Sequence, residues 1–290
     1  MQQTSNTQKM VSTKKMQFSA TLEALADHCE SLDISPLFVA DCGSHAWGFA
    51  SDTSDWDVKF VYVHTDKDKY LSLREPMQHT SFKDVDLNVE YFGADVKKFL
   101  NLLLKGNANV YEQVESKYFT PLMGDSARSL RSFTVDVLAE NLDKVMAHYY
   151  GLSVSTYKER IRNVGEVTMK KWFYVVRPLM CVEHIFLYNR LPPLDFKVLL
   201  NTMTDSTYAI PNEVTDVMYQ LLAEKRVGDI TKTGDKDMVP VDAWVQERHT
   251  HWKEYLSDNK NGILLEKVLT NPEEFDIVYR DLLNGTFHYD

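Results

Sequence analysis

The chain has 290 residues, with 42 Asp or Glu against 32 Lys or Arg and a formal net charge of −10. Such an acidic balance argues against an extended grip on duplex nucleic acid, which needs a basic excess, and leaves only a local basic patch open. Its longest apolar run, Val175 to Val182, is too short for a membrane span and is interrupted by Arg177 and Pro178.

Residues 1–16 read as a flexible polar tail: Lys9 and Lys14 are present, but no apolar stretch of the kind a secretory signal needs. Phe18 to Leu32 reads as a helix through the spacing of Leu22, Leu25 and Ala26. The three cysteines, Cys29, Cys42 and Cys181, are far apart and form no Cys-x-x-Cys pair. They argue against a disulfide framework or a zinc site and fit a reducing, cytoplasmic compartment. Leu37 to Asp41 and Asp57 to Val63 read as strands. Asp86 to Phe92 alternates and predicts a third, with Asp86, Asn88 and Glu90 on one face. Asp95 to Leu104 is a helix with Val96, Phe99, Leu100 and Leu103 on one side.

From Asp125 the pattern is helical. Helices are predicted over Ala127–Tyr149, Tyr157–Ile161, Thr168–Tyr188, Asp195–Thr202, Asn212–Glu224, Val241–Trp252 and Glu273–Leu283. Pro178 should kink the third of these, and Val227 to Pro240 reads as an exposed loop. The fold class is α+β: a small mixed sheet over residues 17–124, then an α-helical domain over 125–290 that closes over it, with the cleft between them as the natural ligand site.

The most informative stretch joins the first two strands. Gly43-Ser44 follows an apolar run, and after ten further residues Asp55-Trp56-Asp57 opens the next one. Side chains two apart on a strand face the same way, so Asp55 and Asp57 present two carboxylates together. Two hard oxygen ligands suit Mg²⁺ or Mn²⁺, with water and substrate phosphates completing the shell. Gly43 and Ser44 offer backbone N–H groups and a hydroxyl for the distal phosphates of a nucleoside triphosphate, and glycine lets the backbone approach them. Between Lys158 and Arg177 the basic residues Lys158, Arg160, Arg162, Lys170, Lys171 and Arg177 outnumber Glu159 and Glu166. A basic helix facing the carboxylates would complement a triphosphate. Lys171 is the expected phosphate clamp, with Lys170 and Arg177 behind it, and Tyr174 or Tyr157 as a stacking surface for the base. Lys170 and Lys171 point different ways on a helix, so only one of them can face a given ligand. His148 is expected in a structural hydrogen bond, and His249-x-His251 on the surface. Dinucleotide-binding, Walker, zinc-protease and hydrolase-elbow motifs are absent from the sequence.

The spacing from Gly43-Ser44 to Asp55-x-Asp57 resembles the signature of DNA polymerase beta-like nucleotidyltransferases. The fuller string, Gly43-Ser44-x-Ala46-Trp47-Gly48-Phe49 through Ser54-Asp55-Trp56-Asp57, is similar to the RlaP (YcgL-type) family. Further segments extend the likeness: Leu104-Lys105-Gly106-Asn107 with Glu112, Lys170 to Tyr174 into Arg177-Pro178-Leu179, and Leu191-Pro192-Pro193-Leu194-Asp195-Phe196. Several family members carry Arg where this chain has His45. The resemblance implies a metal-dependent transfer of a nucleoside monophosphate from an NTP to an acceptor hydroxyl. An RNA end, in repair or modification, is the first expectation for the acceptor, and a protein hydroxyl is the alternative. A non-catalytic nucleotide- or RNA-binding role is the third reading. It also implies a third carboxylate on a neighbouring strand that shares the metal and takes the acceptor's proton. Glu90 is favoured for that role over Asp86.

Overall fold

In the computed structural model the described residues are 18–164, 167–204, 210–227, 238–258 and 272–289; the tail 1–16 and most of the expected loop before Pro240 lie outside them. Two apolar runs set the sheet. β1 (Ile34–Asp41) and β2 (Trp56–His64) pair antiparallel across the Gly-Ser loop. Along β2 the faces alternate: Val58, Phe60 and Tyr62 join one apolar cluster, Val61 and Val63 the other. The first cluster is covered by α1 (residues 18–31) through Phe18, Leu25 and Cys29. Asp57 and Lys59 share the second face, at the end of the strand that the core does not fill.

The third strand is not where alternation placed it. Instead a hairpin forms from β3 (His79–Asp84) and β4 (Val89–Asp95), and β4 runs parallel to β2. Asn88 turns the chain with φ +52°, and the Asp84 carboxylate accepts the Leu87 N–H at 2.9 Å. Asn is among the few residues that tolerate this left-handed conformation, and that preference overrides the apparent strand period. Asp86 therefore sits in the turn and shares no strand face with Glu90. With β5 (Thr120–Pro121) the order is β3-β4-β2-β1-β5.

The Asp95 side chain caps α2 (Val96–Leu104) by accepting the Lys97 N–H at 2.8 Å. A short helix that the sequence did not announce, α3 (Ala108–Val114), follows; the Asn107 side chain caps it, and His148 Nδ1 accepts the Ala108 N–H. His148 is thus held in a structural hydrogen bond. The single helix expected over 127–149 is two, α4 (Gly124–Glu140) and α5 (Leu142–Tyr157). They are separated at Asn141, whose buried amide donates to the Val137 carbonyl at 2.6 Å. A π-type turn, Lys158–Arg162, prolongs α5. Then come α6 (Lys170–Tyr188) with Pro178 inside it, α7 (Phe196–Thr204), α8 (Asn212–Val227), α9 (Val239–Asp258) and α10 (Pro272–Asn284). Phe38 and Val61 from the sheet and Phe173, Phe196 and Met218 from the helices belong to one apolar cluster, so the two halves share a core. Among the described residues no helix is long and apolar enough to cross a membrane.

His249 is not the surface residue expected. Ser153 Oγ donates to the Val175 carbonyl at 2.8 Å and lies 2.8 Å from His249 Nε2, so Nε2 carries the proton and donates to it. Burial pushes this imidazole down to about 4 from an ordinary 6.5. Below pH 6.5 the folded chain binds fewer protons here than the unfolded chain. The stability this contact supplies is therefore complete above about pH 6.5 and is lost as pH falls towards 4. Thermal unfolding between pH 7.5 and 4.5 should show a steeper loss of midpoint for the wild type than for His249→Gln.

Candidate active site

The site is built on a buried carboxylate that sequence reasoning passed over. Asp41 ends β1, and its side chain accepts the backbone N–H of Ala46 and of Asp57, each at 3.0 Å, with the Gly43 amide also directed at it. Burial, and then the charge of Asp57, pushes the Asp41 carboxyl up to about 7, while the three backbone donors pull the other way. The Cys42 amide donates to the Asp57 carbonyl, so loop and strand are fastened twice. The Gly43 amide, expected to face phosphate, is turned to Asp41 instead, as is that of Ala46. The clue in the sequence is an aspartate closing an apolar run immediately before a Gly-Ser turn.

Glycine at 43 has a reason beyond phosphate access. A Cβ there would lie 1.9 Å from Asp57 Oδ2, so the missing side chain admits the Asp57 carboxylate against the turn. Gly48, at φ +80°, is similarly packed: a Cβ would meet the Asp195 carboxylate at 2.2 Å. Ser44 is buried at the centre of the loop, and its carbonyl accepts the amides of Phe49 and Ala50. His45 stacks flat on Trp56 at 3.9 Å, which turns that ring away from the two aspartates flanking it.

Asp57 sits directly beside Glu90 in the parallel β2–β4 register, and Glu90 in turn beside Lys83 of β3. Burial raises the Asp57 carboxyl, as do the charges of Asp55 and Glu90; Lys59 and Lys170 oppose them. Glu90 is paired with Lys83, whose Nζ lies 2.9 Å from its Oε1. Among the described residues no three His, Cys, Asp or Glu side chains converge tightly enough to enclose a metal ion. Asp55 and Asp57 still fit Mg²⁺. They are hard oxygen donors whose mutual repulsion a divalent cation relieves, and Mg²⁺ is commonly held by one or two carboxylates with phosphate and water.

A cleft of about 470 Å³ opens over Asp57 and Glu90; Asp55 is not among its lining residues. One wall is the sheet, with Asp57, Lys59, Glu90 and Phe92; the other carries Glu112, Arg160, Tyr174 and Arg177. On α6, Lys170, Tyr174 and Arg177 share a helical row. Lys170 lies close enough to act electrostatically on Asp57. Tyr174 meets Trp47 edge-on at 5.6 Å, and the Arg160 guanidinium lies 5.6 Å from its ring centroid. Neither Lys170 nor Lys171 is among the residues lining the cleft. Lys171, the clamp preferred from sequence, begins the next row, which leads to core residue Val175, whereas Lys170 is the one whose charge acts on Asp57. Tyr157 is directed elsewhere, donating to Asp242 at 2.7 Å.

Arg177 lies at the cleft floor, but its charge is already matched. It is fully buried, donates to Glu112 Oε1 at 2.7 Å and lies 4.6 Å from the centroid of the Trp47 ring. Trp47 Nε1 and the Tyr149 hydroxyl also donate to Glu112. The Leu191–Phe196 segment closes the assembly: Arg177 reaches the Leu194 carbonyl, and the Phe196 amide donates to the Trp47 carbonyl. From α8, Lys225 donates to Ser54 Oγ and Arg226 twice to the Gly48 carbonyl, pinning the loop between turn and aspartates.

Two stability measurements separate these roles. Arg177→Ala strands a buried Glu112 and should cost about 3–5 kcal/mol, whereas Lys170→Ala should stay within about 0.5 kcal/mol of wild type in denaturant unfolding. Gly43→Ala should lower the thermal midpoint by displacing Asp57. Gly151→Ala is the control: it lies on α5 with open space at its Cβ position and should be neutral or stabilising.

The mixed sheet packs Gly43 against Asp57 beneath a basic and aromatic helical wall, the residues on which the resemblance to DNA polymerase beta-like nucleotidyltransferases rests. Residues 18–267 match the RNA repair pathway DNA polymerase beta family, RlaP, and the chain belongs to that family. It is also similar to the uncharacterized protein YcgL of Bacillus subtilis (strain 168), with 30% identity over 200 residues that cover 69% of this chain and 73% of YcgL.

Proposed function

We propose that the chain transfers a nucleoside monophosphate from an NTP to the terminal hydroxyl of an RNA strand. The observation that carries this reading is Asp57: a carboxylate packed against the Gly-Ser turn, beside Asp55 and Glu90, with Lys59 and Lys170 acting on it. Ser44 receives the distal phosphates, and Lys170 neutralises them from the helical wall. Tyr174, with Arg160 beside it, supports the base. Asp55 and Asp57 hold Mg²⁺ or Mn²⁺, which when bound neutralises charge on the phosphoryl oxygens and stabilises the attacking and leaving oxygens. The acceptor oxygen bonds to the α-phosphorus, the bond from that phosphorus to the bridging oxygen breaks, and pyrophosphate leaves. Glu90 takes the acceptor's proton. Membership of an RNA-repair family supports RNA as the acceptor. The acidic net charge keeps a protein hydroxyl as the second candidate.

Incubation with each α-labelled NTP, single-stranded RNA and cell lysate identifies the acceptor by which polymer gains label. Asp55→Asn and Asp57→Asn should each lose transfer by several orders of magnitude with circular dichroism unchanged; substantial activity in both would overturn the assignment. Glu90→Gln should lose transfer while retaining NTP binding, and Asp86→Asn in the hairpin turn should keep both. Lys170→Ala should weaken NTP binding by roughly ten- to a hundred-fold, the value of a charged hydrogen bond of about 1.5–3 kcal/mol. Lys171→Ala should not.

A further inference from the structure

One side chain in the cleft is placed oddly for a soluble protein. Phe92 is 45% exposed, belongs to neither apolar cluster, and lines the same wall as the carboxylates. A lone exposed phenylalanine needs no explanation; its neighbours here give it one. Phe92 follows Glu90 by two residues on β4 and so shares its face, roughly 7 Å further along the strand. In the β2–β4 register it stands beside Lys59, as Glu90 stands beside Asp57. The cleft wall thus carries two successive cross-strand rows: a carboxylate row, Asp57–Glu90, and a cation–aromatic row, Lys59–Phe92. Lys59 lies close enough to the first row to act on Asp57.

We infer that Lys59 and Phe92 form the acceptor subsite, which takes the end of a single-stranded RNA with its terminal base on Phe92 and a backbone phosphate on Lys59. This deepens the proposed function and rests on its assignment of Glu90 to the acceptor's proton. That assignment puts the acceptor hydroxyl over β4, and the next position outward on the same face is Phe92. The donor base has its own aromatic, Tyr174, on the opposite wall. An aromatic face beside a cation is the pairing that single-stranded nucleic acids require, since every base has a π-face to stack and every nucleotide a phosphate. The overall negative charge suits a contact confined to a strand end, because a long tract would be repelled beyond its reach.

The test uses the full chain and a fluorescein-labelled 12-nucleotide single-stranded RNA with a free 3′ hydroxyl. Anisotropy titrations at two salt concentrations compare wild type, Phe92→Ala, Phe92→Tyr and Lys59→Ala, with circular dichroism and NTP affinity measured on each. Phe92→Ala should weaken RNA binding by roughly five- to a hundred-fold, the span that base stacking supplies, and Phe92→Tyr should restore most of it. Lys59→Ala should weaken binding at low salt and lower the slope of log affinity against log salt by about one. NTP affinity of the Phe92 variants should move less than twofold. RNA binding that ignores all three substitutions, a tyrosine that fails to rescue, or wild-type chain that labels a protein and binds no RNA would each overturn the subsite. If wild type binds RNA through Phe92 but transfers no label to it from any NTP, the proposed function fails and the acceptor role with it, while the RNA contact at Phe92 stands.

Discussion

Glu112 holds the two halves of this protein together. One buried carboxylate receives Arg177 from α6, the indole of Trp47 from the signature loop and the hydroxyl of Tyr149 from α5, while sitting itself on α3. Three donors saturate a charge that burial would otherwise make very costly. A buried pair of this kind adds little net stability over an apolar replacement, but removing one partner is severe. Its effect here is on geometry. The cleft floor can form only when sheet, loop and helices are in register.

A second buried carboxylate sets the finer geometry. Asp41 gathers amides from both sides of the loop, so the turn and the aspartate strand move as one unit. Gly43 then lets Asp57 rest against the turn itself. The electrostatic result is a crowded patch of negative charge, Asp55, Asp57 and Glu90, with Lys59, Lys83 and Lys170 placed around it. Such a patch is poised for a cation and a polyanion arriving together, since each compensates the other.

Much of this was legible in the sequence because local periodicity encodes it. The two strands and most C-terminal helices follow from alternation or 3.6-residue spacing, and Asp57 takes its face from that alternation, whereas Asp55 stands just before β2. The failures have physical causes. Val85 and Leu87 mimic strand alternation, but Asn88 tolerates a left-handed turn and Asp84 stabilises it, so the strand divides into a hairpin. Asn141 competes for backbone carbonyls and splits a helix whose apolar period runs straight through. Lys171 and Lys170 are indistinguishable until the orientation of α6 against the sheet is known. Arg177 looks like a phosphate ligand until its partner, sixty-five residues upstream, is found beside it. Pairings between distant segments leave no mark in a local pattern.

That same remoteness has a consequence for synthesis. The contact from Lys225 to Ser54 spans 171 positions, and the Arg226 contacts to Gly48 span 178. A chain emerging from the ribosome exposes both aspartates long before α8 exists to brace the loop that precedes them. The sheet can pair early, yet the loop gains its braces only when residues 212–227 have been made. Proofreading of the fold is thereby coupled to competence: a truncated product retains the signature residues but lacks the braces that align them.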